Sequence, residues 1–104
     1  MRDLIAAGAD VNAKDDLRKS SVLMYAIETC DNLEIINMLI AAGADVNAET
    51  ASGSTPLLQA AGHNENPEIV RALLQAGADI EVRGHSGCTP LIKAALYNAN
   101  PEVI

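Results

Sequence analysis

The sequence predicts a mainly α fold: an α-solenoid of stacked helix–turn–helix units joined by extended, turn-rich connections. Three recurring features predict it. The pentapeptide GADVN begins at Gly8 and Gly43, and GADIE begins at Gly77, steps of 35 and 34 residues. TPLLQAA begins at Thr55 and TPLIKAA at Thr89, with SVLMYAI at Ser21 as their earlier counterpart, each step being 34. NPEIV at 66–70 and NPEVI at 100–104 keep the same interval, with NLEII at 32–36 before them. Repetition on a period of tens of residues marks a repeat architecture.

The elements follow one another in a fixed order. A hydroxyl at Thr55 or Thr89 supplies an N-cap. Pro56 and Pro90 then occupy the first helical position, where a missing N–H costs nothing. The first helix, LLQAAGH or LIKAALY, is short. The loop after it ends at Asn66 or Asn100, a second cap, followed by Pro and by a Glu that faces the positive helix end. The second helix carries Ile69, Val70, Leu73 and Leu74, a spacing that buries a broad face. Gly77 stops it in the left-handed conformation that glycine adopts cheaply. The Asp of each GAD reads as turn chemistry, side chain to backbone. An extended, turn-rich connection leads onward. A unit this small cannot bury its apolar faces alone, so the units stack. The expected organisation is a single domain over 1–104, with a partial repeat at 1–12, repeats at about 13–47 and 48–81, and an incomplete repeat at 82–104.

TPLLQAA, PEIVRALLQAGAD and GADVNAETASGSTPL resemble the ankyrin repeat, whose signature is T-P-L-H-x-A at about 33 residues. The resemblance covers essentially the whole chain and implies that the connections are β-hairpin-like fingers. There are departures. The signature His after TPL is Met24, Leu58 or Ile92, which implies apolar contact in place of its hydrogen bonds. The loop HNENPE has one extra residue, which accounts for the step of 34. The first connection, NAKDDLRKSS, has a further one and lacks the glycine found at 53 and 87, so this finger is expected to be the most irregular.

Composition restricts the function. The chain is 49% hydrophobic and 20% charged, as a folded protein requires. Aromatic residues make up 2%, all of it Tyr25 and Tyr97, so the core must be aliphatic. A net charge of −7, with 14 acids against 7 bases, argues against nucleic acid and anionic membrane surfaces. No apolar run approaches the ~18–20 residues of a membrane span, and no signal-type stretch follows Met1. Cys30 and Cys88 stand 58 residues apart without metal-ligand spacing, which suggests free thiols and a cytoplasmic setting. No cofactor is expected. Two lone histidines make no ligand set, so no metal is expected either.

The chain opens with RDLIAAGAD after Met1 and closes with PEVI. Joined, they read as one second helix. The favoured expectation is a piece cut from a longer array. The alternative is a head-to-tail stack of copies, through Leu4 and Ile5 at one end and Val103 and Ile104 at the other, with Leu91 also uncovered.

The resemblance implies a non-catalytic protein-interaction module, binding another protein through its finger tips and the concave face of its first helices. Carried over by position, the finger residues are Asp16, Leu17, Arg18 and Lys19, then Glu49, Ala51, Ser52 and Ser54, then Arg83, His85, Ser86 and Cys88. The concave positions are Tyr25, Glu28 and Thr29, then Gln59 and His63, then Lys93, Leu96 and Tyr97. These positions vary from unit to unit while the caps and apolar positions repeat, as a contact surface on a constant frame would. The competing reading is that most are solvated loop residues. Tyr25 and Tyr97 stand out because tyrosine is enriched at binding hot spots, although Tyr25 also has a neighbouring helix to pack on. The acidic balance would suit a partner with a basic or mixed patch. An enzyme is the remote alternative. Its nucleus would be the Cys88 thiol with His85 and His63, but no orienting group or phosphate-binding loop accompanies them.

Overall fold

The computed structural model describes residues 5–29, 32–63, 66–84 and 87–97, with His63 described in its backbone alone. The expectations placed on Leu4, Cys30, His85, Ser86, Asn100, Val103 and Ile104, and on the His63 side chain, lie outside the described residues. Among the described residues are five helices: α1 (Val22–Thr29), α2 (Leu33–Ala41), α3 (Pro56–His63), α4 (Pro67–Gln75) and α5 (Pro90–Tyr97).

The start and stop chemistry of each helix follows from a few side chains. Ser21 Oγ accepts the Met24 N–H, Thr55 Oγ1 that of Leu58 and Thr89 Oγ1 that of Ile92, each at 3.3 Å. Asn32 Oδ1 caps α2 through the Glu34 N–H at 2.9 Å, and Asn66 Oδ1 caps α4 through that of Glu68 at 3.0 Å. Each such cap satisfies a donor that the helix itself leaves unpaired. Gly43 and Gly77, at φ +99° and +98°, end the second helices. The Gly43 N–H donates to Ile40 and that of Ala44 to Leu39, and Gly77 and Ala78 repeat this with Leu74 and Leu73. That pair of bonds is the Schellman motif, which needs a left-handed residue where glycine stands. The GAD aspartates behave as expected. Oδ1 of Asp10, Asp45 and Asp79 accepts the N–H two residues on, at 2.9 Å in each case.

Among the described residues, α1 packs on α2 and α3 on α4 within their pairs, and helices of one pair pack on their counterparts in the next. Thus α3 lies between α1 and α5, while α2 packs on α4. This is a solenoid, 40 × 26 × 22 Å overall. Leu23, Ile27, Leu57, Ala60, Ala61 and Ala94 fill the seam of first helices; Ile36, Leu39, Ile69, Val70 and Leu73 fill that of the second helices. Alanines at 60, 61 and 94 bring α3 and α5 close together. Each fully buried Leu or Ile contributes about 1.5–3 kcal/mol of transfer free energy. Met24 and Leu58, at the signature His positions, are buried as expected. Ile92, the third, is 41% exposed, a correction to the expected apolar contact. Ile5, expected to be uncovered, is half-buried and packs against the core.

The fingers are tight hairpin-like turns. Among the described residues the only ladder pairing is an antiparallel bridge between Lys14 and Ser21. In the second finger the Thr50 N–H donates to Ser54 O, and in the third the Gly87 N–H donates to Gly84 O, both at 2.9 Å. Gly53 and Gly87 there have φ of +78° and +77°. In the first finger Lys19 takes that place at φ +57°, the one non-glycine residue with positive φ among the described residues. The finger expected to be the most irregular thus keeps the left-handed position of the others, on a residue that is not glycine.

Candidate binding groove

Two fingers and three first helices enclose a groove of about 470 Å³. The first finger contributes Leu17 and Arg18, and α1 contributes Met24 and Glu28. The second finger supplies Thr50, Ala51, Ser52 and Ser54. Gln59 of α3 and Lys93 of α5 complete the lining. Leu17, Arg18, Ala51, Ser52, Ser54, Gln59 and Lys93 are residues the sequence singled out, and the fold brings them to one place.

The first finger is fixed to α1 by charge. Arg18 Nη2 donates to Glu28 Oε1 at 2.7 Å, and the guanidinium lies 5.7 Å from the centre of the Tyr25 ring. Asp15 Oδ1 accepts the Ser20 N–H at 2.7 Å, and Oδ2 that of Arg18 at 3.2 Å. Partial burial pushes the Asp15 carboxyl up. The Ser20 and Arg18 amides, the Tyr25 hydroxyl and the Arg18 charge outweigh it, and the group lies below the usual carboxylate range. The Tyr25 phenol is raised, by burial first and then by its hydrogen bond to Asp15 and that residue's negative charge. The bond to Glu28 and its charge hold the Arg18 guanidinium above its ordinary value. Tyr25 is therefore engaged within the molecule, at the edge of the groove.

The second finger is braced on the first, since the Ala51 N–H donates to the Arg18 carbonyl at 2.9 Å and Lys14 Nζ to the Glu49 carbonyl at 2.9 Å. Thr50 and Ser52 share a hydroxyl hydrogen bond at 3.0 Å. Across the groove, Lys93 Nζ sits 5.3 Å from the centre of the Tyr97 ring, and the lysine stem runs past Gly62. Leu96 and Tyr97 are exposed on α5, and Leu17, 88% exposed, stands on the opposite rim.

Lys19, Arg83, Leu96 and Tyr97 do not line the groove. Arg83 instead closes its own finger, Nη1 donating to the Gly87 carbonyl at 3.1 Å. Cys88 carries a free, half-buried thiol. Among the described residues, no three His, Cys, Asp or Glu side chains are grouped to hold a metal ion, and no helix is long and apolar enough to cross a membrane. Two lining residues, Met24 and Thr50, were missed. Met24 was readable as a core residue, and Thr50 carried no signal beyond lying beside Glu49.

At the base of the fingers, Asn12 Oδ1 accepts the Asp45 N–H at 2.6 Å and Nδ2 donates to the Gly43 carbonyl at 3.1 Å. Asn47 repeats this one unit later with Asp79 at 2.8 Å and Gly77 at 3.2 Å. This ladder holds adjacent units, and so adjacent fingers, in register.

A second groove of about 240 Å³, apolar apart from Glu81, is lined by Leu57, Ala61, Val70, Leu74, Ile80, Pro90 and Leu91. Ile40, Val46 and Leu57, one unit earlier than Leu74, Ile80 and Leu91, are half-buried or buried, while the later three are exposed.

The family model described as ankyrin repeats (3 copies) matches residues 1–84 and, in an overlapping match, 23–104. A search of the curated proteins found no match.

Proposed function

The chain belongs to the ankyrin-repeat family, whose repeats are generally protein–protein interaction modules, and we propose that it acts non-catalytically by holding a partner protein in the groove between its first two fingers, α1, α3 and α5. One observation carries this reading. Residues that vary between units, from Leu17 to Lys93, converge on a single concave surface, while the residues that repeat are spent on caps, turns and core. Affinity capture with mass spectrometry tests it. Ser52→Trp, which fills the groove, and Lys93→Ala with Tyr97→Ala should each abolish or weaken capture at unchanged melting temperature. Arg71→Ala, on the far face, should leave capture intact. Equal capture by all variants would overturn the reading.

A second reading, head-to-tail stacking of copies, is favoured by the apolar groove beside α4 and α5. Leu91 is 58% exposed there, although its counterpart Leu57 is covered by the following unit. Light scattering across a dilution series decides it. A concentration-dependent mass that Leu91→Asp abolishes supports stacking, and a monomer at the highest concentration removes it.

A further inference from the structure

Resting on the reading of the first groove as the partner site, we infer that it selects an acidic peptide segment carrying a large apolar side chain, the opposite sign from that suggested by a net charge of −7. The charge is not spread evenly. Among the described residues, the fingers and first helices carry Lys14, Arg18, Lys19, Arg83 and Lys93 against Asp15, Asp16, Glu28 and Glu49. The second helices and the turns around them carry Asp10, Glu34, Asp45, Glu68, Asp79 and Glu81 against Arg71. The acidic surplus therefore lies on the second-helix side, and screening decays over ~8 Å at physiological salt, short beside the 22 Å of the thinnest dimension. A ligand in the groove responds to the local charges.

Among the described residues, three charged side chains line the groove. Arg18 and Glu28 are bonded to each other at 2.7 Å and largely cancel. Lys93 has no carboxylate within ion-pairing distance among the described residues, and its ammonium is held over the Tyr97 ring. The rest of the polar lining is neutral: Thr50, Ser52, Ser54 and Gln59. Among the described residues, the groove thus offers one uncompensated cation. A carboxylate entering it gains that partner, whereas an incoming ammonium meets Lys93 unpaired and a Glu28 already occupied by Arg18. Leu17 on one rim provides the apolar contact, so an acidic segment with a large aliphatic or aromatic residue satisfies both features at once.

Short random peptides displayed on phage and selected on the folded chain test this. The expected result is enrichment of sequences in which Asp or Glu flanks a large apolar residue. Their binding should weaken with added salt and fall about tenfold with Lys93→Glu, a difference of about 1.4 kcal/mol. Arg71→Glu, an equal charge change on the far face, should leave it unaltered. Basic or uncharged peptides that Ser52→Trp abolishes, or acidic ones that Ser52→Trp abolishes but Lys93→Glu leaves intact, would overturn the charge selection while leaving the groove as the partner site. Peptides indifferent to both changes, or no enrichment at all, would overturn both. Circular dichroism melts of each variant show that it is folded.

Discussion

Asp15 shapes the first finger from a single side chain, taking the Ser20 and Arg18 amides and the Tyr25 hydroxyl around one carboxylate. Burial works against the charged form here, and the donors together with the Arg18 charge win, so the folded-state pKa is depressed. A depressed carboxyl stabilises the fold at pH values above its unfolded pKa, about 3.9, and that contribution is lost as pH falls through the folded value. The gap in melting temperature between the natural chain and Asp15→Asn is therefore expected to be open at neutral pH and to close progressively below about pH 4. A gap that stays constant down to the acid limit of the native state would show that the charge of Asp15 contributes nothing. Beside it, Lys19 holds a left-handed conformation that costs a non-glycine residue about 1–2 kcal/mol. The sequence showed that a glycine was missing from this finger. It did not show that the backbone keeps the same path without one, because the Asp15 and Ser20 contacts that hold it close across an extra residue.

At the scale of one helix, α3 carries a glycine in its last turn, at the point where the Lys93 stem crosses. A Cβ added at Gly62 would lie 3.6 Å from Lys93 Cβ and 3.7 Å from its Cδ, ordinary van der Waals distances. Gly62→Ala removes the backbone-entropy cost of a helical glycine without a clash. It is expected to stabilise the protein by about 0.5–1 kcal/mol, a rise of a few degrees in a thermal melt. An unchanged or lower melting temperature would mean that the Lys93 stem is displaced. Gly84 differs, since its added Cβ would stand 3.0 Å from the Gly53 carbonyl oxygen and push the second and third fingers apart. The helices themselves were legible, because Thr55, Thr89, Asn66 and the glycine stops act on partners within five residues. The burial of Ile69, Val70 and Leu73 was legible from spacing alone, whereas Leu74, read onto the same face, is exposed. What spacing does not reveal is which first-helix positions a neighbouring unit covers. Met24 and Ile92 occupy the same place in their units, yet one is core and the other is exposed.

Across the whole molecule, cohesion passes from unit to unit, and the asparagines at the base of the fingers are among its joints. Asn12 and Asn47 each bond to the turn one unit further on, 30 to 33 residues away in sequence. Sequence reading gave these positions no role beyond the repeated GADVN, because a side chain that serves its neighbour's backbone leaves no local pattern. The third unit has Glu81 at this place, whose carboxylate has no N–H to donate to a carbonyl. Asn47→Ala leaves the Asp45 turn in place, because that bond uses the Asn47 backbone N–H, and removes only the two bonds to Gly77 and Asp79. At about 0.5–1.5 kcal/mol net for each hydrogen bond, the loss should total about 1–3 kcal/mol. In a stack held by nearest-neighbour contacts the loss is local. Native-state hydrogen exchange should then show protection falling in α5 and the third finger, while the amides of α1 keep theirs. Asn12→Ala should shift the loss toward the Ile5 end and spare α5. If either variant instead lowers protection evenly from α1 to α5, the chain unfolds as one cooperative body, and the neighbour-to-neighbour account of its stability is wrong.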